Sequence, residues 1–310
     1  MTTPGPAVTR RALLGMAVLV PLAACTRATS PPPSSDPVPP PPPPPPPSST
    51  RQFHDRLLEL EKKFDARLGV YALDTGGGGT IEHRADERFA FCSTFKGVAA
   101  AAVLQRNPLS HLETRVSYSR DDLMKHAPVT GQHVATGMTI RQLCDAAIRY
   151  SDGTAGNLLL RDLGGPAELT AFTRGLGDTV TRMDRIEPLI TEATPGDPRD
   201  TTTPRAFGTD YQRILLGDTL ESGKRDFLRD LLQRNATGAE RIRAGLPPGW
   251  TIADKTGTGD YGTLNDIAVV WPPGKAPIVL AVMSSKAAKD APYDQALLAE
   301  AAKYVAEKLA

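Results

Sequence analysis

The segment that decides the fold is Ser93-Thr94-Phe95-Lys96-Gly97-Val98-Ala99-Ala100-Ala101-Ala102-Val103-Leu104, a serine–lysine pair leading into an apolar run. The run is typical of a buried helix, and a spacing of three places Ser93 and Lys96 on one helix face, one turn apart. A helix start also supplies unpaired N–H groups that suit an oxyanion. A serine needs a base to act as nucleophile, and a buried lysine with a lowered pKa can serve. The alternative, a capping serine followed by a solvated surface lysine, is disfavoured by the apolar neighbours.

Three further motifs follow this segment in the order expected of a serine acyl-transfer site. They are Ser151-Asp152-Gly153, Glu187 within a charged loop, and Lys255-Thr256-Gly257. One S-x-x-K occurs by chance about once in a chain of this length, but the ordered set is far more specific. We therefore interpret the set as a nucleophile with its base, a proton relay, a water activator and an anion clamp.

Each of these motifs also has a local structural interpretation. Ser151 sits at a helix break that would expose its hydroxyl to a cleft for proton transfer to a leaving nitrogen, although it could simply cap the next helix. Asp152 is better explained as a cap than as a catalyst. Gly257 permits a close approach of another backbone. Lys255, Thr256 and Thr258 would bind a substrate carboxylate, and the N–H groups of residues 93 and 258 would form an oxyanion hole.

Hydrophobic periodicity outlines the remaining elements and their order. The pattern predicts strands near both ends of the chain with helices between them, and therefore one sheet built from both termini and flanked by a helical lobe. The Pro-, Asp- and Thr-rich segment 185–204 lacks apolar periodicity and is predicted to be a long functional loop. Predicted helices are 53–68, 93–104, most of 123–182, 211–233 and 293–309; predicted strands are 70–73, 251–255, 265–271 and 277–284.

From about residue 53 to 310, these motifs resemble those of class A serine β-lactamases, most closely the lipid-anchored enzymes of mycobacteria and their relatives. Asp184-Arg185-Ile186-Glu187-Pro188 is similar to the family's Ω-loop, and Arg185 with Asp200 matches the ion pair that closes it. The resemblance implies an α/β (α+β) fold, with a five-stranded antiparallel sheet flanked by helices plus an all-helical lobe. It also implies that Glu187 is the deacylation base, and leaves open whether Lys96 or Glu187 activates Ser93.

The chain departs from the family pattern at several substrate-binding positions. Gly153 stands where most members have Asn, and the absence of that side chain leaves a wider pocket. Thr191 replaces an Asn that helps the loop glutamate to hold water. Leu264 replaces a carboxylate-binding Arg, a role that Arg241 takes over in the mycobacterial relatives, unless Arg241 is a surface residue. His126 falls where many members have an aromatic gate, or is an ordinary surface histidine.

The first 50 residues predict export and tethering. Residues 1–24 have basic Arg10-Arg11 and a short apolar run, typical of a signal peptide by the twin-arginine or the general secretory route. The run ends at Cys25 in a lipobox-like context, which predicts lipidation, although an ordinary cleaved signal is the alternative. Residues 31–50 hold 13 prolines, so residues 25–50 are predicted to be a lipidated Cys with a stiff proline-rich tether, or a linker without such a role. Residues 51–310 are the predicted catalytic domain.

The amino-acid composition limits the classes of ligand and partner that the protein can bind. The 36 basic and 35 acidic residues give a net charge of +1, which argues against nucleic-acid binding. Cys92 and Cys144 are predicted to be free thiols, and the histidines show no metal-ligand spacing. We therefore expect no metal, no cofactor, a monomer with a small-molecule β-lactam substrate, and membrane contact through the lipid anchor only.

The sequence thus predicts an exported β-lactamase, anchored at the outer, periplasmic face of the cell membrane, that opens penicillins and cephalosporins through a Ser93 acyl-enzyme. Two other functions remain open. A D-Ala-D-Ala peptidase of the penicillin-binding class would share Ser93, Lys96, Ser151 and Lys255 but lack the role of Glu187. A β-lactam trap or sensor would acylate and barely turn over, and Thr191 is the feature that favours it.

Overall fold

The computed structural model describes residues 49–309, so the predicted signal segment, Cys25 and most of the proline-rich tether lie outside the described residues. Nine strands are present in this part of the chain: β1 Arg67–Asp74, β2 Thr80–His83, β3 Phe89–Ala90, β4 Arg115–Val116, β5 Met138–Thr139, β6 Thr201–Thr202, β7 Thr251–Gly259, β8 Thr263–Trp271 and β9 Ile278–Ser285. Nine helices accompany them between residues 49 and 309: α1 Ser49–Phe64, α2 Phe95–Arg106, α3 Ile140–Arg149, α4 Gly153–Leu163, α5 Pro166–Gly175, α6 Pro204–Leu215, α7 Ser222–Gln233, α8 Ile242–Gly245 and α9 Gln295–Leu309.

The main sheet has five antiparallel strands in the order β2-β1-β9-β8-β7. Because β1 pairs along its whole length with β9, the two ends of the domain meet in the middle of the sheet. This confirms the predicted fold class, a sheet made from both termini with a helical lobe between them. Within residues 49–309, none of the helices is long and apolar enough to cross a membrane.

Two apolar layers cover the sheet. One cluster joins α1 and α9 to one sheet face through residues such as Leu57, Leu60, Leu280 and Leu298. The other cluster joins the opposite face to α6 and to the helical lobe around α2. Helix α2 is enclosed within that lobe, since every residue from Phe95 to Leu104 is buried. The predicted buried helix is confirmed, and it is preceded by a 3₁₀ turn at Cys92–Thr94.

The first predicted helix is wrong at both of its boundaries. It ends at Phe64 rather than at Leu68, because Asp65 takes a left-handed conformation and Leu68 pairs with Ser284 in the sheet. It also begins at Ser49, so the last two residues assigned to the tether are helical. Pairing with β9 therefore overrides the helical spacing of the apolar residues.

The region from 123 to 139 is irregular rather than helical. The carboxylate of buried Asp152 accepts hydrogen bonds from the N–H groups of Val129 (3.0 Å) and Thr130 (2.9 Å), so this loop satisfies its backbone through a side chain. The predicted helix 211–233 is also two helices, α6 and α7, separated at Gly217, whose N–H bonds back to the carbonyl of Gln212. Side-chain and glycine effects of this kind leave little trace in hydrophobic periodicity.

Candidate active site

Ser93 lies in the 3₁₀ turn at the start of α2, deep in the cleft between the sheet and the helical lobe. The preceding residue, Cys92, has φ of +48°, a conformation that is strained for a residue other than glycine. Thr94 Oγ1 donates a 2.6 Å hydrogen bond to the Phe91 carbonyl and helps to hold the turn. The turn therefore fixes the Ser93 hydroxyl at the first turn of a buried helix, as the sequence predicts.

The Ser93 hydroxyl contacts two charged side chains at once. Lys96 Nζ donates to Ser93 Oγ at 3.0 Å, and Ser93 Oγ donates to Glu187 Oε1 at 2.9 Å. Lys96 and Glu187 also form an ion pair of 2.6 Å, and Lys96 is fully buried. In this geometry the carboxylate is the acceptor for the serine proton, while the ammonium group stabilises the serine oxygen.

Ser151 and Lys255 form the opposite side of the same cluster. Lys255 Nζ donates to Ser151 Oγ at 3.1 Å, while the Ser151 carbonyl accepts a 2.7 Å hydrogen bond from Lys96. Ser151 has φ of +56° and precedes Asp152, which caps α4 by accepting from the Ala155 N–H. The cap is therefore Asp152, as predicted, and the Ser151 hydroxyl remains directed to Lys255.

Burial lowers the pKa of Lys255 well below its ordinary value, and the positive charges of Lys96 and Arg241 lower it further. The same grouping of Lys96, Lys255 and Arg241 that lowers this pKa concentrates positive charge where a substrate anion would approach.

Strand β7 packs directly against the nucleophile turn because residue 257 is glycine. A Cβ atom on Gly257 would lie 2.6 Å from the Phe91 carbonyl oxygen and 3.2 Å from the Thr94 nitrogen. Any larger residue would push the strand away from the turn. The close approach expected from the sequence is present, and it sets the β7 backbone beside Ser93 as an oxyanion hole from residues 93 and 258 requires.

Arg241 is buried beside β7, which excludes the surface alternative. Its Nη1 donates to the carbonyls of Gly257 (2.8 Å) and Asn265 (2.9 Å), and its Nη2 donates to Thr258 Oγ1 (2.8 Å). Burial lowers the pKa of Arg241. Leu264, by contrast, points into the apolar layer between the sheet and α1 and α9. The Arg241 guanidinium, which does not belong to the sheet, therefore contacts Thr258. Leu264, on strand β8, packs in the apolar layer instead of contacting the site.

A hydrogen-bond chain behind Thr256 was missed by the sequence analysis. Thr237 Oγ1 lies 2.5 Å from Thr256 Oγ1 and donates to Asn235 Oδ1 at 2.8 Å. Asn235 in turn donates to the fully buried carboxylate of Asp254 at 2.6 Å. This chain orients the Thr256 hydroxyl. An Asn-x-Thr spacing four residues before Arg241 carries no distinctive signal by itself, so only the fold reveals the connection.

The loop 185–204 is fastened at its neck by the expected ion pair. Arg185 Nε donates to Asp200 Oδ2 at 2.5 Å, and Asp200 Oδ1 accepts from the N–H groups of Asp184 (2.8 Å) and Arg185 (3.0 Å). Asp200 is 1% exposed. One carboxylate thus joins both ends of the loop that carries Glu187.

Asn157 holds Glu187 itself and was also missed. Its Oδ1 accepts from the Glu187 N–H at 3.0 Å, and its Nδ2 donates to the Glu187 carbonyl at 3.0 Å. The available signal was its place on α4, four residues after Gly153 and so on the same helix face. Both polar groups of one amide therefore fix the backbone of the carboxylate residue.

The positions that depart from the family pattern surround this centre. A Cβ atom on Gly153 would lie 2.3 Å from Glu187 Oε2, so the glycine gives the carboxylate the room to reach Ser93. Thr191 Oγ1 donates to the Pro188 carbonyl at 2.7 Å, which commits its proton to the loop backbone. His126 is exposed, and its Nε2 lies 3.0 Å from the Tyr150 carbonyl at the edge of the cleft.

Neither cysteine offers a second nucleophile or a metal ligand. Cys92 and Cys144 are both free and buried, which confirms the prediction of free thiols. Burial raises the pKa of the Cys92 thiol, and raises that of Cys144 to about 12. In the described part of the chain no three His, Cys, Asp or Glu side chains converge in a way that could hold a metal ion.

Comparison with known proteins places this geometry in a family. Residues 52–309 match the sequence model of the Beta-lactamase enzyme family. A β-lactamase of Mycobacterium tuberculosis is 54% identical over 307 residues, covering 97% of each chain. A β-lactamase of Bacillus amyloliquefaciens is 52% identical over 256 residues, covering 83% of this chain and 84% of that protein.

Solved structures agree. The β-lactamase of Streptomyces albus G superposes with a TM-score of 0.82 at 49% identity, covering 84% of this chain and 100% of that one. The class A β-lactamase of Clostridium kluyveri also superposes with a TM-score of 0.82, at 46% identity, covering 83% of this chain and 98% of that one. One of these relatives is a mycobacterial β-lactamase, in agreement with the resemblance of the sequence motifs. The chain belongs to the class A β-lactamase family.

Proposed function

We propose that this β-lactamase hydrolyses penicillins and cephalosporins through an acyl-enzyme on Ser93. The observation that carries the proposal is the double contact of Ser93 Oγ with Lys96 Nζ at 3.0 Å and Glu187 Oε1 at 2.9 Å. A serine hydroxyl in contact with both a carboxylate acceptor and an ammonium donor is prepared for attack on a carbonyl. Hydrolysis of the drug gives antibiotic resistance.

In the acylation step Ser93 Oγ attacks the β-lactam carbonyl carbon and its proton passes to the Lys96–Glu187 pair, both members of which contact Ser93 Oγ. When the Glu187 carboxylate is removed, Lys96 remains in contact with Ser93 Oγ and can take the proton, so acylation is retained while deacylation is lost. The N–H groups of residues 93 and 258 stabilise the oxyanion. When the carbon–nitrogen bond breaks, Ser151 passes a proton to the ring nitrogen. Ser151 regains a proton through the lysine side chains of the cluster, which recover it from the proton that Ser93 released, so Glu187 is again a carboxylate for the next step.

In the deacylation step Glu187 takes a proton from water, and the water oxygen attacks the ester carbonyl. The bond from that carbon to Ser93 Oγ breaks, and the serine recovers its proton. The position of Glu187 for this step depends on Asn157 and on the loop neck. Thr191 contributes less directly, because its hydroxyl donates to the Pro188 carbonyl and can only accept from a water.

Substrate orientation falls to groups along β7 and around its edge. Lys255, Thr256 and Thr258 bind the substrate carboxylate, and Arg241 adds positive charge through its contact with Thr258. Gly153 leaves room for the substrate side chain, and His126 lines the entrance. These roles need neither a metal nor a cofactor.

The two rival functions are separated by Glu187 and Thr191. A D-Ala-D-Ala peptidase has no use for a carboxylate bonded to the nucleophile, so the Ser93–Glu187 contact disfavours it. A trap would need a carboxylate that cannot activate water. The Glu187 carboxylate is in direct contact with both reacting side chains, which favours turnover.

Replacement of Glu187 tests the mechanism. Glu187→Ala should turn over a chromogenic cephalosporin about 10²–10⁴-fold more slowly, the usual contribution of a general base. With a good penicillin, intact-protein mass spectrometry should detect an acyl adduct on Glu187→Ala, little on the wild type, and none on Ser93→Ala. A stable adduct on the wild type would favour the trap. Unchanged turnover by Glu187→Ala would remove Glu187 from the mechanism.

We extend the proposal to cellular location and assembly. The lipobox-like Cys25 and the proline-rich residues support an exported protein anchored by lipid at the outer face of the membrane, and we propose that this protein is a monomer. Wild type should fractionate with membranes and Cys25→Ser should be released; equal retention of both would contradict the anchor. Blocked export of Arg10→Lys with Arg11→Lys would support the twin-arginine route, and light scattering of residues 51–310 would test the monomer.

A further inference from the structure

A large cavity lies behind the Ω-loop, residues 185–204, and away from the catalytic cluster. Its volume is about 1030 Å³, and its walls come from the Ω-loop, β3, the C-terminal end of α1 and the end of β9. None of Ser93, Lys96, Ser151, Glu187 and Lys255 lines it. Small-molecule sites typically occupy roughly 300–1,000 Å³, so this volume is sufficient for an organic ligand.

The cavity is apolar inside and basic at its rim. Ala66, Ala90, Ala193 and Pro195 contribute apolar surface over the buried side chains of Phe89 and Ile190, and basic side chains outnumber acidic ones around them. Arg88 is the distinctive member among the rim arginines. Its Nη1 donates only to neutral oxygens, the Val180 carbonyl (3.0 Å) and Thr201 Oγ1 (2.9 Å), and within residues 55–309 it forms no ion pair.

The neighbouring rim arginines differ from Arg88. Arg67 is paired with Glu87 at 2.7 Å, and Arg84 with Glu61 at 2.7 Å. The charge of Arg88 is therefore uncompensated, and its remaining N–H groups are available to an anion.

A second, independent feature also indicates a ligand. Thr263, the first residue of β8, lines the cavity and is 1% exposed. Its hydroxyl has no hydrogen-bond partner in the described part of the chain. A buried hydroxyl of this kind is normally satisfied, and an acceptor on a bound molecule would satisfy it here.

We propose that this cavity is a regulatory site for a small amphipathic anion, a molecule with an apolar body and a carboxylate or sulfonate group. The apolar body packs on Ala90, Ala193 and Pro195, the anionic group meets Arg88, and an acceptor within the body accepts a hydrogen bond from Thr263. Cationic ligands of the same size are excluded by the basic rim.

The site is linked to turnover through the Ω-loop. Ile190, three residues after Glu187, is fully buried against the cavity, and Arg185 of the loop neck also lines it. An occupant that packs on the loop residues Ala193 and Pro195 displaces the loop from the position in which Glu187 meets Ser93. Occupancy therefore lowers kcat, and any acylation that reorders the loop changes the affinity of the ligand in return.

The test uses the full-length protein and 8-anilinonaphthalene-1-sulfonate, a fluorescent amphipathic anion. We expect saturable binding with a stoichiometry of one, displaced by decanoate and not by decylamine of equal chain length. Arg88→Gln should weaken binding by about tenfold or more, as expected for loss of a charged hydrogen bond. Exposed Ala287→Trp should obstruct the cavity and abolish binding. Arg229→Gln, which removes an exposed arginine on α7, is the matched control and should bind as wild type.

Turnover of a chromogenic cephalosporin provides the second readout. Saturating sulfonate should lower kcat several-fold in wild type and have no effect on Ala287→Trp. Circular dichroism establishes that each variant is folded, and Thr263→Val provides a further lining variant with expected weaker binding. Three results would each overturn the proposal. They are absence of saturable binding to the wild type, binding by both Arg88→Gln and Ala287→Trp as tight as that of the wild type, and inhibition that is purely competitive with the cephalosporin.

Discussion

The segment that carries Ser93 and the loop that carries Glu187 meet at 2.9 Å, but they are held by different kinds of contact. Around α2, Phe95 and Val98 are fully buried, and Phe91 stacks on Phe207 with ring centroids 5.8 Å apart. In the Ω-loop, Ile186 and Leu189 on either side of Glu187 are exposed by 43% and 47%. The nucleophile is positioned mainly by apolar packing. The carboxylate is positioned mainly by hydrogen bonds and ion pairs, with Ile190 as the fully buried apolar contact of its loop.

This difference separates the two chemical steps. Acylation depends mainly on groups attached to the packed core, such as Lys96 on α2 and Lys255 on β7. Deacylation additionally depends on a loop whose position rests on Asp200, Arg185 and Asn157. Polar substitutions in the loop should therefore change deacylation selectively, whereas loss of apolar volume under α2 should change the stability of the whole domain.

Truncation of apolar residues in the two regions should give the largest contrast. Phe95→Ala removes a fully buried ring and should lower the free energy of unfolding by about 3–5 kcal/mol. Leu189→Ala, in the loop, should change it by no more than about 0.5 kcal/mol, because the side chain is largely exposed. Urea unfolding followed by circular dichroism measures both. Similar losses in the two variants would show that the loop is also held by packing.

Arg241 tests whether a polar group on the packed side acts on acylation alone. Loss of a charge-assisted hydrogen bond costs on the order of 1.5–3 kcal/mol, so Arg241→Ala should lower kcat/KM by roughly 10- to 150-fold. The deacylation rate, measured in single-turnover experiments, should be unaffected. Arg229→Ala is the control for loss of an exposed arginine. If kcat/KM fell by less than about twofold, Arg241 would have no role in substrate binding. Urea unfolding would show whether a larger fall is caused by loss of stability of the variant.

Neutralisation of the loop neck should have a smaller and opposite signature. Asp200→Asn keeps an oxygen for the N–H groups of Asp184 and Arg185 but loses the ion pair with Arg185. We expect deacylation slower by about threefold to tenfold, the equivalent of roughly one hydrogen bond, with acylation unchanged. Asp197→Asn, which disrupts a more exposed pair with Arg199 in the same loop, should have less than about twofold effect. Stopped-flow burst kinetics resolve the two steps, and a slower burst for Asp200→Asn would contradict the separation.

The same division explains which features the sequence predicts. Apolar periodicity predicts α2, the sheet from both termini and the motif-bearing turns, since burial of apolar residues produces both the pattern and the packing. Ser93 and Lys96 are brought together by helical spacing alone. Gly257 was recognised because a close approach of backbones requires glycine.

Contacts between polar side chains distant in sequence could not be read in this way. Asn157 clamps Glu187, and Asn235 connects Thr237 to buried Asp254, but each is one polar residue among many until the fold brings its partners together. The irregular segment 123–139 was assigned to helix for the same reason, because its backbone is satisfied by the Asp152 side chain. The limits of the sequence analysis therefore lie in side-chain hydrogen bonding, which is also what positions the Ω-loop.

The last prediction concerns Lys255 on β7, in the region held by apolar packing, and it has the smallest expected effect at neutral pH. It is measured as the pH dependence of kcat/KM. Burial and the nearby charges of Lys96 and Arg241 lower the pKa of Lys255 well below 10.5. Lys255 must be cationic to bind a carboxylate, so kcat/KM should fall as the pH rises through this lowered pKa, earlier than for a solvated lysine. Lys255→Arg keeps its charge and should move the fall to higher pH while costing less than about tenfold at pH 7.

The contribution of Lys255 to the free energy of unfolding should change with pH in the opposite direction to kcat/KM. Between the folded and unfolded pKa values of Lys255, the unfolded chain binds the extra proton, so the contribution of this residue to the free energy of unfolding increases with pH. The Ω-loop neck does not share this dependence, because burial lowers the pKa of Arg185 but its hydrogen bonds to Asp200 and Glu192 prevail and raise that pKa above its ordinary value. A basic limb that stays in place in Lys255→Arg would assign the titration to another group, and the link between burial of Lys255 and acylation would then be lost.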